Sequence, residues 1–324
     1  MGETPLAMRP FISICIPAYK NRASLQRLLH SIREQHFNDY EVIVCDDSCS
    51  DELDALVAAY EGLPGFRYVR NRQRLGSPAN WNFCVSLAHG AWIKIMHHDD
   101  WFSAPASLSL FASEADQTAV SFLFCSCDAF KNGKEYGFTY APFGDDKKLL
   151  KTTDLLPYEL LSVNRIGCPS VTLMRRSCYQ DFDPRLIWFV DVDAYIRQIG
   201  RGDVLYLSDR LVNVTYLSEN QITHAVGKDL SIGLRERVYL LDKYELLARP
   251  EYADQLVVEW SPLPFSLLLG SLLFPQLPAR LGTRWVMLTS LLRNRLNRVL
   301  ISLGLGLRQQ VDRWLERFVK RMLS

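Results

Sequence analysis

Two pairs of adjacent acids stand out in this 324-residue sequence: Asp46-Asp47, and Asp99-Asp100 preceded by His97-His98. Each pair closes a short run of apolar and β-branched residues, EVIVC and AWIKIM. Adjacent carboxylates repel one another unless a cation sits between or beside them. A divalent ion with oxygen ligands suits such a pair, and Mg²⁺ is usually shared with substrate phosphates. Taken singly, acids of this kind also cap helices or solvate loops. Two pairs, each at the end of a strand-like run, favour the ligand-binding reading.

The elements that must position them follow from periodicity. Residues 11–16 (FISICI), closed by Pro17, predict a buried strand, and Leu25, Leu28, Leu29 and Ile32 predict an amphipathic helix ending near Gln35. Residues 41–45 and 66–70 predict further strands. Ser50 reads as the N-cap of a helix presenting Leu53, Leu56, Val57 and Tyr60, and Ser77-Pro78 as the opening of another that runs to about Ala88. Residues 91–96 predict a fourth strand. Strands alternating with helices predict a mostly parallel α/β sheet covered on both faces. Ligands of such sheets bind beyond the carboxyl ends of the strands, where this chain carries PAYKN, DDSCSD and HHDD. Later elements predicted are strands over 120–125 and 169–174, a polar loop over 131–148, a helix over 191–199, two strands over 203–207 and 211–216, and a helix over 230–247.

Other classes are disfavoured. No GxGxxG or P-loop sequence follows the first strand. The eight cysteines show neither CxxC pairs nor zinc-ligand spacing, and several sit inside apolar runs, so a reduced cytosolic setting is the simplest expectation. Residues 1–10 lack the apolar stretch of a secretory signal. The most lipophilic segment, 262–275, is bounded and interrupted by prolines and falls short of the ~20 residues that span a bilayer.

Taken together, these motifs resemble the family 2 glycosyltransferases of the GT-A fold, over about residues 11–223. ISICIPAYKN is similar to that family's first strand and turn, EVIVCDDSCSD to its second strand with an Asp-Asp-x-Ser-x-Asp signature, and GSPANWNFCVSLAHGAWIKIMHHDDW to its Asn-bearing helix and acid-bearing strand. The resemblance implies a GT-A catalytic domain over 1–225 and an inverting, metal-dependent transferase that uses a nucleoside-diphosphate sugar. It implies a nucleotide-sugar site drawing on Pro17, Tyr19, Asp46, Asp47, Asn82 and His98. It implies Mg²⁺ or Mn²⁺ held by Asp99 and Asp100. A later segment, with RIGCPS, FDPRL and VDVD, resembles the acceptor side, where the acid at the start of a short helix is the catalytic base; Asp191 occupies that position, with Asp193 two residues on. There are two departures from the family pattern. His97 stands where an acid is frequent, and Ser218 precedes Glu219-Asn220-Gln221 where a metal-ligating His is frequent, with His224 six residues later. His97 and His98 thus read as metal ligands, as lining of the donor site, or as strand-end hydrogen-bonding groups.

Residues 226–324 are predicted to form a helical extension. Residues 280–324 carry ten cationic side chains against Asp312 and Glu316, a net charge of about +8 on an otherwise acidic chain. Val311, Trp314, Leu315, Phe318, Val319, Met322 and Leu323 recur at helical spacing, with Arg313, Arg317, Lys320 and Arg321 opposite. Such a helix suits the interface of an anionic membrane; alternatively, its apolar stripe packs on the catalytic domain or on a second copy of the chain. Nucleic acid is not an expected partner. The expected role is sugar transfer to a glycan or lipid-linked acceptor in cell-surface polysaccharide synthesis, peripheral on the cytoplasmic face of a membrane. The alternative is a catalytically silent nucleotide-sugar-binding scaffold subunit.

Overall fold

The computed structural model describes residues 9–131, 134–216 and 230–246. The chain divides into two compact units, Met1–Leu156 with Asn164–His224, and Pro157–Val163 with Ala225–Ser324.

The first unit begins with β1 (Ile12–Ala18), in which every residue is buried. A tight turn follows, with Lys20 and Asn21 at φ of 51° and 50°. Asn tolerates this left-handed region because its short side chain bonds locally; here Asn21 caps α1 (Arg22–Arg33) by accepting from Ser24 N. Leu25, Leu28, Leu29 and Ile32 form the buried face of α1 as their spacing predicts, each contributing ~2 kcal/mol of apolar burial. β2 (Tyr40–Asp46) is wholly buried, and α2 (Asp54–Ala58) and β3 (Arg67–Arg70) follow it. Ser50 does not cap α2: its hydroxyl bonds the exposed Glu52, and the helix begins later without a side-chain cap. Likewise α3 (Ala79–Ser86) takes Pro78, not Ser77, as its N-cap.

β4 (Trp92–Ile95) is preceded by Gly90, where a Cβ would lie 2.6 Å from Ser13 N, so only glycine lets the chain enter the sheet here. Next come β5 (Trp101–Phe102), α4 (Ser107–Gln117), β6 (Phe122–Lys131), β7 (Lys134–Tyr140) and β8 (Lys148–Leu150). The stretch expected to be a polar loop, 131–148, thus holds β7 and the first residue of β8. Their exposed residues carry no alternation, and they are strands because β6 and β10 offer them backbone partners. β9 (Thr172–Arg175) starts after a 3₁₀ turn at Pro169–Val171, α6 spans Val190–Ile199, and β10 spans Val204–Thr215. The two last strands expected are one: Ser208-Asp209 reads as a turn but is an irregularity in β10, with register shifts between Leu207 and Val212.

Sheet order is β3-β2-β1-β4-β9-β6-β10-β5, with β7 on β6 and β8 on β10. β3, β2, β1 and β4 are mutually parallel as expected. β9 runs antiparallel to β4 and β6, and β10 is parallel to β6. This mixture positions the site. The carboxyl ends of β1, β2 and β4 share one edge. Because β9 is reversed, the residues that lead into it lie at that same edge. The far end of β10, at Thr215, arrives there too.

In the second unit α5 (Pro157–Ser162) buries Leu160 and Leu161, and α7 (Leu230–Lys243) buries Leu234, Val238 and Leu241. Arg237 Nε donates to Leu161 O at 3.0 Å. Among the described residues no helix is long and apolar enough to cross a membrane. Ser218, Glu219, Asn220, Gln221, His224 and the amphipathic stretch 311–323 lie outside the described residues.

Candidate active site

The loop after β4 brings His97, Asp99 and Asp100 together, one ligand atom of each lying within 4.8 Å of the others. Asp100 is buried; Oδ1 accepts Thr215 N at 2.8 Å, and Oδ2 lies 3.6 Å from the Cys168 thiol that donates to it. Burial, and then the adjoining Asp99 charge, push the Asp100 carboxyl up to about 7. Burial also pulls the His97 imidazole down to about 4. Its backbone N–H donates to Ser170 Oγ at 2.9 Å, its ring lies 4.7 Å from Trp81, and its buried Nε2 has no hydrogen-bond partner among the described residues. A neutral imidazole whose Nε2 is unpartnered among the described residues, beside Asp99 and the buried Asp100, is a donor set that fits a divalent cation. His98 is half-exposed and forms no hydrogen bond to the described residues.

The turn carrying these ligands is held from behind. Arg27, on α1, donates to Asp99 O at 2.7 Å and to Thr215 Oγ1 at 3.2 Å, and its guanidinium stacks 3.7 Å from the centroid of Trp101. Thr215 Oγ1 in turn donates to Asp99 O. Nothing in the sequence distinguishes Arg27 from the other cations of α1, and Thr215 is one of several polar strand ends.

Asp191 lies in the first turn of α6. Oδ1 accepts the Val192 amide at 2.8 Å and Oδ2 accepts Asn164 Nδ2 at 3.0 Å. Asn164 is fixed by its own turn, since Oδ1 accepts from Ile166 N and Gly167 N, while Tyr140 OH donates to its carbonyl. Asp193 is distinct: it is fully buried and ion-paired with Arg197 at 3.2 Å. Residues 164–170 therefore touch both halves of the site. Asn164 holds Asp191, Cys168 reaches Asp100, and Ser170 receives the His97 amide.

The acids after β2 do different work. Asp46 accepts Ser48 N at 2.8 Å and Tyr68 OH at 2.8 Å. Asp47 accepts Asn71 Nδ2, Leu75 N and Gly76 N at 2.7 to 2.8 Å. These bonds shape the loop 71–76, which carries Arg74 to 4.4 Å over the ring of Tyr19. Pro17 is buried within β1 opposite Cys45. Asn82 is committed to a segment 100 residues away, donating to Phe182 O and accepting Phe182 N. Asp47→Ala leaves three donors without their acceptor, so a loss of order 3 kcal/mol is expected. A thermal melt should fall by about 6–12 °C; an unchanged melt would show that the loop does not depend on Asp47.

Residues 13–182, just over half of the chain, match the family model described as Glycosyl transferase family 2. The chain belongs to that family. An uncharacterised protein of Mycobacterium tuberculosis is 30% identical over 244 residues, covering 71% of this chain and 75% of that protein. The abequosyltransferase RfbV of Salmonella typhimurium is 33% identical over 126 residues, 38% of this chain but only 37% of that relative. Among solved structures, the S. aureus TarS fragment 1–349 in complex with UDP-GlcNAc aligns with a TM-score of 0.61 at 16% identity, covering 90% of this chain and 92% of that one. At that identity the likeness speaks for the GT-A fold alone. As a family 2 glycosyltransferase, the chain has glycosyl transfer as its general activity, and its acid-bearing edge is where such folds bind ligands.

Proposed function

We propose that this protein is an inverting glycosyltransferase that moves a sugar from a nucleoside-diphosphate sugar to a hydroxyl of a glycan or lipid-linked acceptor, in the synthesis of cell-surface polysaccharide. The observation that carries this reading is the joint contact of residues 164–170 with the His97/Asp99/Asp100 cluster and with Asp191. Asp99 and Asp100, with His97, would hold Mg²⁺ or Mn²⁺; when bound, the ion supplies Lewis acidity to the leaving diphosphate. Tyr19 with Arg74, and the loops shaped by Asp46 and Asp47, frame the nucleotide side, with His98 at its rim. Asn82 supports that side through its grip on Phe182.

Asp191 is the base. Its carboxylate takes the proton of the acceptor hydroxyl as that oxygen bonds to the anomeric carbon and the bond to the diphosphate oxygen breaks on the opposite face. Val192 N and Asn164 hold the carboxylate in one orientation, which lowers the entropy cost of the attack. The similar S. aureus TarS fragment, crystallised in complex with UDP-GlcNAc, supports a nucleotide-sugar donor. The basic amphipathic sequence 311–323 supports a place at an anionic membrane surface, on the cytoplasmic face.

The test is a release assay on the purified chain with Mn²⁺ or Mg²⁺ and a panel of UDP-, GDP- and dTDP-sugars. Metal-dependent release of nucleoside diphosphate from one donor is expected. Absence of release together with absence of donor binding by calorimetry would overturn the reading.

A further inference from the structure

Lys94 is the most anomalous side chain in the first unit. It lies on β4 and is fully buried, among the largest side chains with no exposure. Its ammonium sits 4.7 Å from the ring centroid of Phe111 and 5.8 Å from that of Phe102. It forms no ion pair among the described residues, and its one hydrogen bond there is donated to the Ser170 carbonyl. An ammonium carries three donors, of which two have no acceptor among the described residues; burial pulls its pKa down to about 8, against the opposing pull of the nearby Cys125, Cys168 and Asp100. A buried charge of this kind destabilises the fold relative to an apolar side chain of similar volume. The architecture alone therefore gives no reason for a lysine here.

Its single bond supplies one. Ser170 is fully buried and joins two sides of the site: its carbonyl receives Lys94, and its hydroxyl receives the His97 amide at 2.9 Å. The same hydroxyl also interacts with the Asp100 carboxyl. Ser170 belongs to the 3₁₀ turn Pro169–Val171, which has no side-chain cap of its own. We propose that Lys94 is a positioning residue whose ammonium fixes the Ser170 carbonyl and, through the Ser170 hydroxyl, sets the placement of His97 and Asp100 at the donor diphosphate site. This rests on the metal-assisted reading above for its consequence in function, but not for the mechanical link from Lys94 to His97.

The experiment compares the full chain with Lys94→Met, Ser170→Ala and the double variant. Melting in EDTA is measured first. Amide hydrogen exchange follows, over peptides covering 96–100, 168–171 and, as a control, 12–18. Mn²⁺ binding is then read by electron paramagnetic resonance with UDP, GDP and dTDP present together. Lys94→Met is expected to melt at or above the wild type. Its exchange should be about tenfold faster at 96–100 and 168–171 and unchanged at 12–18, and Mn²⁺ should bind at least about fivefold more weakly. The double variant should bind no more weakly than the worse single one, as expected for residues acting in series. A lower melting point with exchange and Mn²⁺ binding at wild-type levels would overturn the proposal, as would additive losses. If Lys94→Met does not fold, Ser170→Ala alone decides: unchanged exchange at 96–100 overturns the link. If the wild type itself binds no Mn²⁺ while exchange still accelerates, the positioning role stands and the metal reading fails.

Discussion

Asp191→Asn should lower kcat for transfer by about 10²–10⁴-fold, the span over which a positioned base contributes, while leaving donor affinity within a factor of about two. The substitution conserves volume. It does not conserve both hydrogen bonds, because the carboxylate accepts from Val192 N on one oxygen and from Asn164 on the other. An amide has one acceptor oxygen, so the variant must release one of the two donors. Asn164→Ala keeps the carboxylate but removes one of its two donors along with the acceptor for Ile166 N and Gly167 N, so a smaller loss in kcat accompanied by some loss of donor affinity is expected. Single-turnover rates with acceptor, alongside donor calorimetry, check both. A variant at Asp191 that retained a third or more of the wild-type rate would move the base elsewhere.

The second large effect is at the proposed metal ligands. Asp99→Ala should reduce metal-dependent turnover at least about 10²-fold, because one charge-bearing ligand is lost at the point where the leaving group gains charge. The hydrogen bonds that Arg27 and Thr215 donate to the carbonyl of Asp99 survive this change, while Arg27 loses the attraction of the Asp99 charge. Stability should move the other way. In the metal-free protein the Asp100 carboxyl is raised to about 7, chiefly by burial and then by the Asp99 charge. A carboxyl whose folded pKa is raised destabilises the fold at pH above that value, and the penalty is relieved as pH falls towards the ordinary carboxylate range. Removing Asp99 takes away part of the cause. The variant in EDTA at pH 8 should therefore melt no lower than the wild type, and its melting point should rise less on acidification to pH 5. A drop of several degrees at pH 8 would show instead that Asp99 has a structural role through its side chain.

Much of this site was legible in the sequence, for a physical reason. Strands buried on both faces read as continuous apolar runs, and a parallel sheet delivers their ends to one edge. EVIVC and AWIKIM therefore put their following acids at that edge. What could not be read was how the acids divide their work. Asp46-Asp47 and Asp99-Asp100 look alike as sequence, yet the first pair accepts hydrogen bonds from β3 and the loop 71–76 and the second is grouped with a histidine. That difference depends on loop 71–76 folding back onto Asp47, which no local periodicity encodes. Asn164, Ser170, Arg27 and Thr215 were missed for a related reason: each acts through a partner at least 27 residues away. α4 is a different case. Leu108, Phe111, Ala112 and Ala115 recur at helical spacing and are buried, so this helix was readable and was absent from the expected elements.

Residues 164–170 work as a calliper. One jaw grips Asp191, the proposed base, the other grips His97 and Asp100 of the proposed metal site, and the bar between them is a few residues of turn rather than a strand of the sheet. Reacting atoms must come within ~3–3.5 Å for attack, so on the proposed mechanism the opening of that calliper would govern which hydroxyl of an acceptor is within range. A change of linkage could then arise from substitutions along the bar, with every acid of the centre left as it is.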